Sequence, residues 1–312
     1  MKPKVYIDGK EGTTGLQIYD RLTAREDIEL LLIDESKRKD PAERKQFLNA
    51  ADLVFLCLPD AAAVEAVSLI ENGQTRVIDC STAHRTAEGW VYGFPELTGQ
   101  REAIRTAARV ANPGCYATGF LSLVRPLVEK GALSPKARLA CHALSGYTGA
   151  GKKAIAQYTD PDRDKELESP RHYAVTLAHK HLPEMAAIAG LNRPPLFMPM
   201  ICDYPQGMVV TVPLWAEELE GPWSIEKLRA LYEDYYGGSP VVTLRPAGAP
   251  SCGFIGSNNL SGADGLQIFV NGNSGQFMLS ARLDNLGKGA SGAAVQNMNL
   301  MLGFEETAGL AL

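Results

Sequence analysis

The N-terminal third of the chain alternates short apolar runs with stretches of helical spacing. The run "LVFLCL" is apolar without interruption, which is typical of a strand buried on both faces of a sheet. In "TTGLQIYDRLTARE", Leu16, Tyr19 and Leu22 recur on one side of a predicted helix. The predicted strands are "KVYIDG", "IELLLID", "AADLVFLCLPD" and "TRVIDCS". Strands that alternate with helices predict a doubly wound parallel sheet in an α/β domain.

The alternation continues to Gly73, the predicted end of the alanine-rich helix "AAAVEAVSLIENG", and changes after Gly131. The helix "SIEKLRALYEDYYGG", with Ser224 as its predicted N-cap, stands among longer strand candidates. These candidates are "ARLACHALSGY", "LFMPMICDYPQGMVVTVPLW", "PVVTLRP" and "LQIFVNGNSGQFMLSARLDNL". Many strands with few helices between them predict a second domain of the α+β class.

Composition narrows the class of protein. The 312 residues carry a formal net charge of -5 and no long basic run, so nucleic acid is not an expected partner. No uninterrupted apolar run approaches the length of a membrane span, and no signal peptide is recognised at the N-terminus. The six cysteines show no C-x-x-C spacing, which argues against zinc and for free thiols. We expect a cytoplasmic protein.

Three glycines, Gly9, Gly12 and Gly15, stand where the first predicted strand gives way to the first predicted helix. Glycines at such a turn let backbone N–H groups approach a pyrophosphate at the helix N-terminus. The spacing is G-x-x-G-x-x-G rather than the usual G-x-G-x-x-G, and a glycine-rich turn can also serve packing alone. The position of the turn within a βαβ pattern favours dinucleotide binding.

The residues after the second strand bear on which dinucleotide is bound. An acid there favours NAD, and a base favours the 2′-phosphate of NADP. Asp34 and Glu35 are followed by Ser36, Lys37, Arg38 and Lys39, so both signals occur. A solvated basic turn is the other interpretation, and the pattern alone leaves the choice open.

Cys115 stands in "ANPGCYATG", where a Pro-Gly turn leads directly into a predicted helix. The partial positive charge of a helix N-terminus stabilises a thiolate, and the same backbone N–H groups can stabilise an oxyanion on a substrate carbonyl. A lone cysteine is usually a buried core residue, and we expect this of the other five. For Cys115 the turn and the helix favour a nucleophile.

The segment "HYAVTLAHKHLPEM" supplies candidate partners for that thiol. His179 and His181 precede a predicted helix and point to the same side of an extended segment, and histidine titrates in the range that proton transfer needs. With Glu184 they could also suggest zinc, but no further ligand stands at suitable spacing. The alternative is that the histidines cap the helix or bond to backbone.

Seven motifs carry a resemblance to a known family: "GKEGTTG", "DCSTAHR", "YGFPEL", "VANPGCYATG", "SGYTGAGKKA", "HKHLPEM" and "LDNLGKGASGAAVQNMNLMLG". Together they resemble the N-acetyl-γ-glutamyl-phosphate reductase family in its shorter form, in the wider group of aspartate-semialdehyde dehydrogenase. The resemblance implies an NADP-dependent enzyme of arginine biosynthesis that reduces an acyl phosphate to an aldehyde through a Cys115 thioester. It places His179 in the proton-transfer role, with His181 and Glu184 close by.

The resemblance also extends the set of site residues. The cofactor-binding candidates are Gly9, Gly12, Thr13, Thr14, Gly15, Ser36, Lys37, Arg38, Cys57, Pro59, Ser81, Asn285 and Gly287. The substrate-binding candidates are Arg85, Asn112, Ser145, Gly149, Lys152 and Tyr173. Among these, Arg85 can hold a carboxylate or pair with Glu96, and Asn285 is expected to face the nicotinamide. No metal site is expected.

We expect a dinucleotide-binding domain of residues 1–114 and about 288–312, and a catalytic and oligomerisation domain of residues 115–287. The expected assembly is a homo-oligomer, a dimer or a tetramer. Two other functions stay open: a related reductase acting on aspartyl phosphate or a carrier-linked acyl phosphate, and a dinucleotide-binding regulator without catalysis.

Overall fold

The computed structural model describes all 312 residues and divides them into two compact units. The N-terminal unit comprises Met1–Pro113 and Ala290–Leu310, and the central unit comprises Gly114–Gly289 and Ala311–Leu312. These boundaries fall beside the expected ones, except that the last two residues lie with the central unit. The reason is a pair of hydrogen bonds: the Asp264 N–H donates to the Ala311 carbonyl at 2.7 Å, and the Ala311 N–H donates to Asp264 Oδ2 at 2.8 Å.

The N-terminal unit is built on a six-stranded, all-parallel sheet in the order β2-β1-β3-β4-β6-β5. Its strands are β1 (Lys4–Asp8), β2 (Glu29–Leu31), β3 (Leu53–Leu56), β4 (Arg76–Asp79), β5 (Val91–Tyr92) and β6 (Arg109–Ala111). Its helices are α1 (Thr13–Thr23), α2 (Pro41–Ala50), α3 (Asp60–Ser68), α4 (Gln100–Thr106) and α9 (Gly292–Leu302), with a short 3₁₀ helix at Glu35–Lys37. The order confirms the predicted doubly wound domain.

Two local predictions in this unit were wrong. Helix α1 buries Gly15, Ile18 and Leu22, whereas Leu16 is 48% exposed. The helix turns this face inward because Gly15 packs on the loop before it: a Cβ there would lie 2.4 Å from the Gly9 carbonyl oxygen. Helix α3 ends at Ser68, well before Gly73.

Side chains explain the early end of α3. The Asn49 amide oxygen accepts the Glu71 N–H at 2.9 Å, and the Asn72 amide oxygen accepts the Thr75 N–H at 2.7 Å. These local side-chain hydrogen bonds compete with further helical ones, so the chain leaves the helix before any glycine.

Helix α9 returns from far along the sequence to complete the core of the N-terminal unit. It contributes Ala294, Val295 and Met298, all buried, to the apolar cluster beneath the sheet. Where the chain leaves and re-enters the unit, the Asn112 amide nitrogen donates to the Ala290 carbonyl at 3.0 Å. The Asn112 amide oxygen also accepts a hydrogen bond from Asn297 at 3.2 Å. One side chain therefore joins the segment where the chain leaves the unit to the segment where it returns.

The central unit contains a seven-stranded mixed sheet in the order β11-β12-β13-β10-β7-β9-β8. Its strands are β7 (Ala140–Gly146), β8 (Arg171–His172), β9 (Leu196–Cys202), β10 (Met208–Trp215), β11 (Val242–Leu244), β12 (Leu266–Gly272) and β13 (Gln276–Leu283). Its helices are α5 (Cys115–Glu129), α6 (Lys152–Thr159), α7 (Leu182–Ala189) and α8 (Ile225–Tyr236). Short 3₁₀ helices lie at Tyr147–Ala150, Lys165–Glu168 and Ala216–Glu218, and a π-helical turn at Gly287–Ser291 leads into α9.

One face of this sheet is covered by helices. Helix α5 approaches so closely that a Cβ on Gly119 would lie 2.5 Å from the Val210 side chain. The N-cap of helix α8 is Ser224, whose hydroxyl accepts the Lys227 N–H at 3.3 Å. This predicted cap is therefore confirmed. None of the helices is long and apolar enough to cross a membrane.

The other face of the sheet carries a register row across five strands. Pairing places Phe269, Ser280, Thr211, His142 and Met198 side by side. The same face continues to Leu196, Trp215 and Met278, whose side chains are 49%, 56% and 41% exposed. Phe269 and Ser280 of this row are buried, and the exposed apolar surface lies around Leu196, Trp215 and Met278.

Candidate active site

The loop between β1 and α1 forms a cradle in the N-terminal unit. Gly9 has a φ of 87°, and a Cβ there would lie 2.4 Å from the Cys57 carbonyl oxygen. Gly12 is the N-cap of α1 and provides no side-chain cap, so the N–H groups of Thr13, Thr14 and Gly15 have no intrahelical partner. Such groups bind a pyrophosphate at a helix N-terminus.

A cavity of about 450 Å³ opens beside this loop. Its walls include Gly9, Gly12, Cys57 and Pro59, four of the predicted cofactor-binding residues. The volume lies in the ordinary range of a cofactor pocket, which is about 300–1,000 Å³. The tight glycines, the uncapped helix and the cavity together fit a dinucleotide.

The basic residues of the cavity differ in part from those expected. Arg38 lines it, as predicted. Ser36 does not, because its hydroxyl donates to Asp34 Oδ1 at 2.7 Å. Lys37 also lies elsewhere, since its ammonium pairs with Glu43 at 2.7 Å.

Lys39, the last base of the turn after the second strand, also lines the cavity, together with two cationic residues that the sequence did not single out, Lys10 and Arg44. Arg44 is buried and pairs with Asp8 at 2.9 Å. Burial raises the pKa of Asp8, and the Arg44 guanidinium opposes that rise. Lys10 could have been found, because it lies inside the glycine motif; Arg44 comes from α2, for which no element was predicted.

Ser81 and Arg85 follow β4 and are held within the N-terminal unit. Ser81 donates to the buried Asp79 carboxylate through its backbone N–H and its hydroxyl, both at 2.8 Å. The same carboxylate lies 2.6 Å from His84 Nδ1. Arg85 donates from Nε to the Asn112 carbonyl at 3.0 Å. The Ser81 hydroxyl is thus bonded to Asp79 at the end of β4, and the Asn112 amide, after β6, is bonded to Ala290.

Cys115 is the first residue of α5 and is half-buried. The N-cap is Gly114, which has no side chain to cap the helix. The first-turn N–H groups of α5 therefore have no intrahelical partner, and the partial positive charge of the helix lies at the thiol. This is the arrangement that the Pro-Gly-Cys sequence predicted.

The turn that carries Cys115 is fixed from two sides. Glu184, in the first turn of α7, is 1% exposed and accepts the Gly114 N–H through Oε2 at 3.2 Å. Gly289 approaches from the π-helical turn, and a Cβ on it would lie 2.7 Å from the Cys115 Cβ. A buried carboxylate and a close glycine thus position the thiol.

Aromatic rings pack around the residue after Cys115, which is Tyr116. Its ring centroid lies 5.6 Å from that of His179, 5.8 Å from His181, 6.2 Å from Tyr173 and 5.2 Å from Phe197. The two histidine rings lie 4.7 Å apart. The structure thus brings three predicted residues, His179, His181 and Tyr173, to the start of α5.

The two phenols of this cluster are kept protonated. Burial raises the pKa of Tyr173; the neighbouring hydroxyl of Tyr116 opposes that rise, and the charge of the Cys115 thiolate reinforces it. Burial also raises the pKa of Tyr116 well above its usual value. The charges of Tyr173 and Cys115 raise it further. Both phenols are therefore neutral near pH 7 and close enough to feel charge on Cys115.

Other predicted residues line nearby loops of the central unit. Asn285 accepts the Gly207 N–H at 2.9 Å and donates to the Thr148 hydroxyl at 3.1 Å, so its amide joins two loops. Gly287 has a packing role, because a Cβ there would lie 2.2 Å from the Ala263 carbonyl oxygen. Gly149 is exposed, and a Cβ on it would lie 3.1 Å from the Asn285 amide nitrogen.

The remaining substrate candidates lie at the ends of β7 and α6. Ser145 is 2% exposed and donates to the Gly146 carbonyl at 3.1 Å. Lys152 is exposed at the first turn of α6. No group of three or more histidine, cysteine or acidic side chains that could hold a metal ion occurs in the structure.

Sequence reasoning missed two residues, Tyr116 directly after the thiol and Arg171 in a cavity that Tyr173 also lines. Arg171 lines a cavity of about 550 Å³ together with Ser169 and Tyr173. Its Nη2 donates to the Tyr158 hydroxyl at 3.0 Å, whereas its Nε is buried without a hydrogen-bond partner. The period-two spacing of Arg171 and Tyr173 was the available signal, because residues two apart on a strand share a face.

Both halves of the chain match family models of the semialdehyde dehydrogenases. Residues 4–107 match "Semialdehyde dehydrogenase, NAD binding domain", and residues 115–285 match "Semialdehyde dehydrogenase, dimerisation domain". A solved structure of aspartate semialdehyde dehydrogenase II from Vibrio cholerae has the same fold, with a TM-score of 0.71 at 15% identity over 97% of this chain and 98% of that one. Fold and site therefore define a semialdehyde dehydrogenase with a nicotinamide dinucleotide cofactor.

Curated relatives are more specific. The chain is 48% identical to N-acetyl-gamma-glutamyl-phosphate reductase 2 of Nostoc sp., over 99% of both chains. It is 50% identical to N-acetyl-gamma-glutamyl-phosphate reductase of Brucella suis, over 97% of this chain and all of that one. The chain belongs to the N-acetyl-γ-glutamyl-phosphate reductase family, and the resemblance found in its motifs is confirmed.

Proposed function

We propose that the protein reduces N-acetyl-γ-glutamyl phosphate to N-acetylglutamate 5-semialdehyde with NADPH and releases phosphate, in arginine biosynthesis. The observation that carries this proposal is the placement of Cys115. The thiol lies at an uncapped helix N-terminus, in a turn held by Glu184, with His179 and Tyr173 in the neighbouring cluster. A nucleophile in this setting suits acyl transfer.

Cys115 opens the reaction by attack on the acyl phosphate carbonyl, which forms a carbon–sulfur bond and expels phosphate. The helix N-terminus supports this step, because its N–H groups stabilise the thiolate and the oxyanion that follows. A dinucleotide held at the β1–α1 loop would supply the hydride that reduces the thioester. Collapse of the resulting oxyanion breaks the carbon–sulfur bond and restores the thiolate. The two histidines beside Tyr116 are the groups available to move a proton.

Substrate recognition is proposed for Arg171. The substrate carries a carboxylate, and Arg171, whose Nε is buried without a partner, lines a cavity with Tyr173 and Glu166. A buried donor without a partner is costly, and a carboxylate would satisfy it. The leaving phosphate is assigned to the loop of Gly149 and to Lys152 at the N-terminus of α6, where a cation and free N–H groups favour an anion.

We assign NADP rather than NAD on the charges around the cavity of the N-terminal unit. Arg38 and Lys39 line it after β2, where a 2′-phosphate would lie, and these two bases outnumber the one acid there, Glu35; Ser36 and Lys37 lie outside its walls. Free cysteines and a reduced dinucleotide both suit a reducing compartment, so we place the protein in the cytoplasm.

The assembly we propose is a homodimer joined through the uncovered face of the central sheet. Trp215, Met278 and Leu196 expose large apolar groups there, and helices cover the opposite face. An exposed apolar patch of this kind on a soluble protein marks an interaction surface. A second copy is the natural occupant, because the segment matches a dimerisation domain.

The test of the function is reduction of NADP⁺ followed at 340 nm, with N-acetylglutamate semialdehyde and with aspartate semialdehyde, each with and without phosphate. We expect phosphate-dependent turnover with the first aldehyde. Turnover with the second aldehyde alone would favour a reductase of aspartyl phosphate. Full turnover without phosphate would show that water, not phosphate, cleaves the thioester. That result would contradict the assignment of an acyl phosphate substrate. A Cys115→Ser chain that kept its full biological effect would favour a regulator.

A further inference from the structure

His179 is held by a hydrogen bond at each ring nitrogen. The backbone N–H of His181 lies 3.1 Å from Nδ1, and the Tyr173 hydroxyl lies 3.1 Å from Nε2. A backbone N–H only donates, so Nδ1 is the acceptor and carries no proton while this bond exists. The neutral ring therefore has its proton on Nε2, where it donates to the Tyr173 oxygen.

This tautomer decides the direction of the Tyr173 hydroxyl. The Tyr173 oxygen accepts from His179, and the hydrogen bond with the Tyr116 hydroxyl lowers the pKa of Tyr173, as a bond accepted by that oxygen does, so the Tyr173 proton can point at another acceptor. Tyr173 packs on Tyr116, the residue after Cys115, with ring centroids 6.2 Å apart. Burial and the thiolate charge both raise the pKa of Tyr173, so the hydroxyl keeps its proton beside the nucleophile. A neutral donor thus lies in the aromatic cluster at the start of α5, where the charge of Cys115 raises its pKa.

We propose that Tyr173 donates a hydrogen bond to the carbonyl oxygen that becomes negative when Cys115 adds to the substrate, and that His179 is a positioning residue that orients Tyr173. The assignment rests on the proposed function, because it gives two residues their parts in that reaction. It moves His179 away from the proton-transfer role that the sequence resemblance implied.

The electron balance fits a donor that retains its proton. When the Cys115 sulfur adds, the carbonyl π pair moves to oxygen, and it returns as the bond to phosphate breaks. A second oxyanion forms when the thioester receives the hydride, and its pair returns as the carbon–sulfur bond breaks. The oxygen ends as a carbonyl each time, so it needs stabilisation and no proton. The proton that the reaction consumes goes to the departing phosphate. His181, the second histidine of the cluster, is the group available to donate it.

The hydrogen bonds also explain why His179 is poorly suited to acid–base work in this arrangement. Protonation at Nδ1 would break the bond from the His181 N–H. Loss of the Nε2 proton would leave an imidazolate and remove the donor that orients Tyr173. Neutral His179 is therefore the form that both neighbours hold in place.

The first test is Tyr173→Phe, which keeps the ring and deletes the hydroxyl. Loss of one preorganised oxyanion donor lowers kcat by about 10²–10³-fold in other enzymes, and we expect a loss of that order with a smaller change in KM. The rate of Cys115 alkylation should stay at the wild-type value. Tyr235→Phe is the matched control, because its hydroxyl bonds to Glu129 at 2.9 Å, away from the cluster. Full turnover by Tyr173→Phe would overturn the proposal.

The second test separates orientation from proton transfer at His179. His179→Gln offers an amide N–H in place of Nε2–H but cannot titrate, whereas His179→Ala offers neither. We expect the Gln variant to exceed the Ala variant in turnover and to keep the wild-type pH profile. The double variant Tyr173→Phe/His179→Ala should be no slower than Tyr173→Phe alone, because both changes remove one interaction. A Gln variant as slow as Ala, with an altered pH profile, would restore the acid–base role.

The third test needs no substrate and so stands apart from the proposed function. Nitrogen-15 NMR of labelled histidine, assigned with His179→Gln, reports which ring nitrogen is protonated. We expect His179 to show a protonated Nε2 and an unprotonated Nδ1, and Tyr173→Phe to change the Nε2 resonance. The opposite tautomer would sink the proposal even in an active enzyme, and the expected one would support the His179–Tyr173 arrangement even if the natural substrate proved to be another acyl phosphate.

Discussion

Cys115 differs from the other cysteines in its surroundings. A hydrogen bond with Cys80 and burial raise the pKa of Cys57, and burial raises the pKa of Cys141 and Cys202. A thiol at an uncapped helix N-terminus experiences the opposite influence. Reactivity should therefore separate the thiols although all six are free.

We expect iodoacetamide near neutral pH to label Cys115 before the buried thiols. Because Cys252 is exposed, the experiment is run in a Cys252→Ser background, and peptide mapping by mass spectrometry gives the order of labelling. Cys115→Ser should fold and bind NADPH but lose nearly all turnover, since a serine hydroxyl stays protonated without a strong base. Activity that survived complete labelling of Cys115 would rule out the nucleophile.

Glu184 provides a second prediction at the scale of the residue. Glu184→Ala leaves the Gly114 N–H buried without a partner, which costs about 1–3 kcal/mol, so the midpoint of thermal unfolding and the turnover should both fall. Glu184→Gln keeps an oxygen acceptor and should unfold at nearly the wild-type temperature.

The Gln variant should also alter the thiol, because it removes a negative charge beside the helix that carries Cys115. We expect its alkylation to become fast at lower pH than in the wild type. A Gln variant as unstable as Ala, or an unchanged pH dependence of labelling, would contradict a role for the carboxylate in setting the Cys115 turn.

At the scale of elements, the β1–α1 loop depends on close backbone approach. Gly9→Ala would place a Cβ 2.4 Å from the Cys57 carbonyl oxygen at a φ of 87°. Strain of this kind costs about 1–3 kcal/mol, and relief of it would displace the cradle. We expect weaker NADPH binding by fluorescence titration and a lower unfolding temperature.

Gly73→Ala is the matched control for that loop. It lies in the same unit at an ordinary φ, and a Cβ there meets nothing within 4 Å. It should bind NADPH as the wild type does. Equal losses in the two variants would show that the cradle is not especially tight.

Hydrophobic spacing was enough to predict, for the segments that it marked in both units, which form strands and which form helices. It was not enough to predict which face of each element is buried. Leu16 is apolar at helical spacing, yet it is exposed because Gly15 sets which side of α1 meets the sheet. Similarly, Gly73 is a good helix stop, but Asn49 and Asn72 ended the helix first. Both errors arise from particular contacts, of Gly15 with Gly9 and of Asn49 with Glu71, which hydrophobic spacing does not reveal.

The candidate site shows the same division. The thiol at a helix N-terminus could be found from the Pro-Gly turn before it. The two histidines could be found from their residue type and their position before a predicted helix. Arg44 could not, since its importance lies in the cavity it lines, and only the period-two spacing from Tyr173 pointed to Arg171. Ser36 and Lys37 were expected at the cavity but are engaged by Asp34 and Glu43, and a sequence does not reveal such pairings.

At the scale of the whole molecule, the uncovered face of the central sheet should govern assembly. Trp215→Glu/Met278→Arg places two charges on that face and should convert the expected dimer to a monomer in sedimentation equilibrium. Val64→Ser is the control, because Val64 is 53% exposed on α3 of the N-terminal unit. A double variant that kept the wild-type mass would move the interface elsewhere.

The interrupted course of the N-terminal unit has a consequence for synthesis. Its sheet is made first, but the buried Ala294, Val295 and Met298 of α9 are made only after every residue of Gly114–Gly289. A nascent chain therefore exposes part of that core on the ribosome while the central unit, uninterrupted except for its last two residues, is free to fold. The order of folding thus runs against the order of translation, and chaperones that hold apolar surface should bind the nascent chain until α9 emerges.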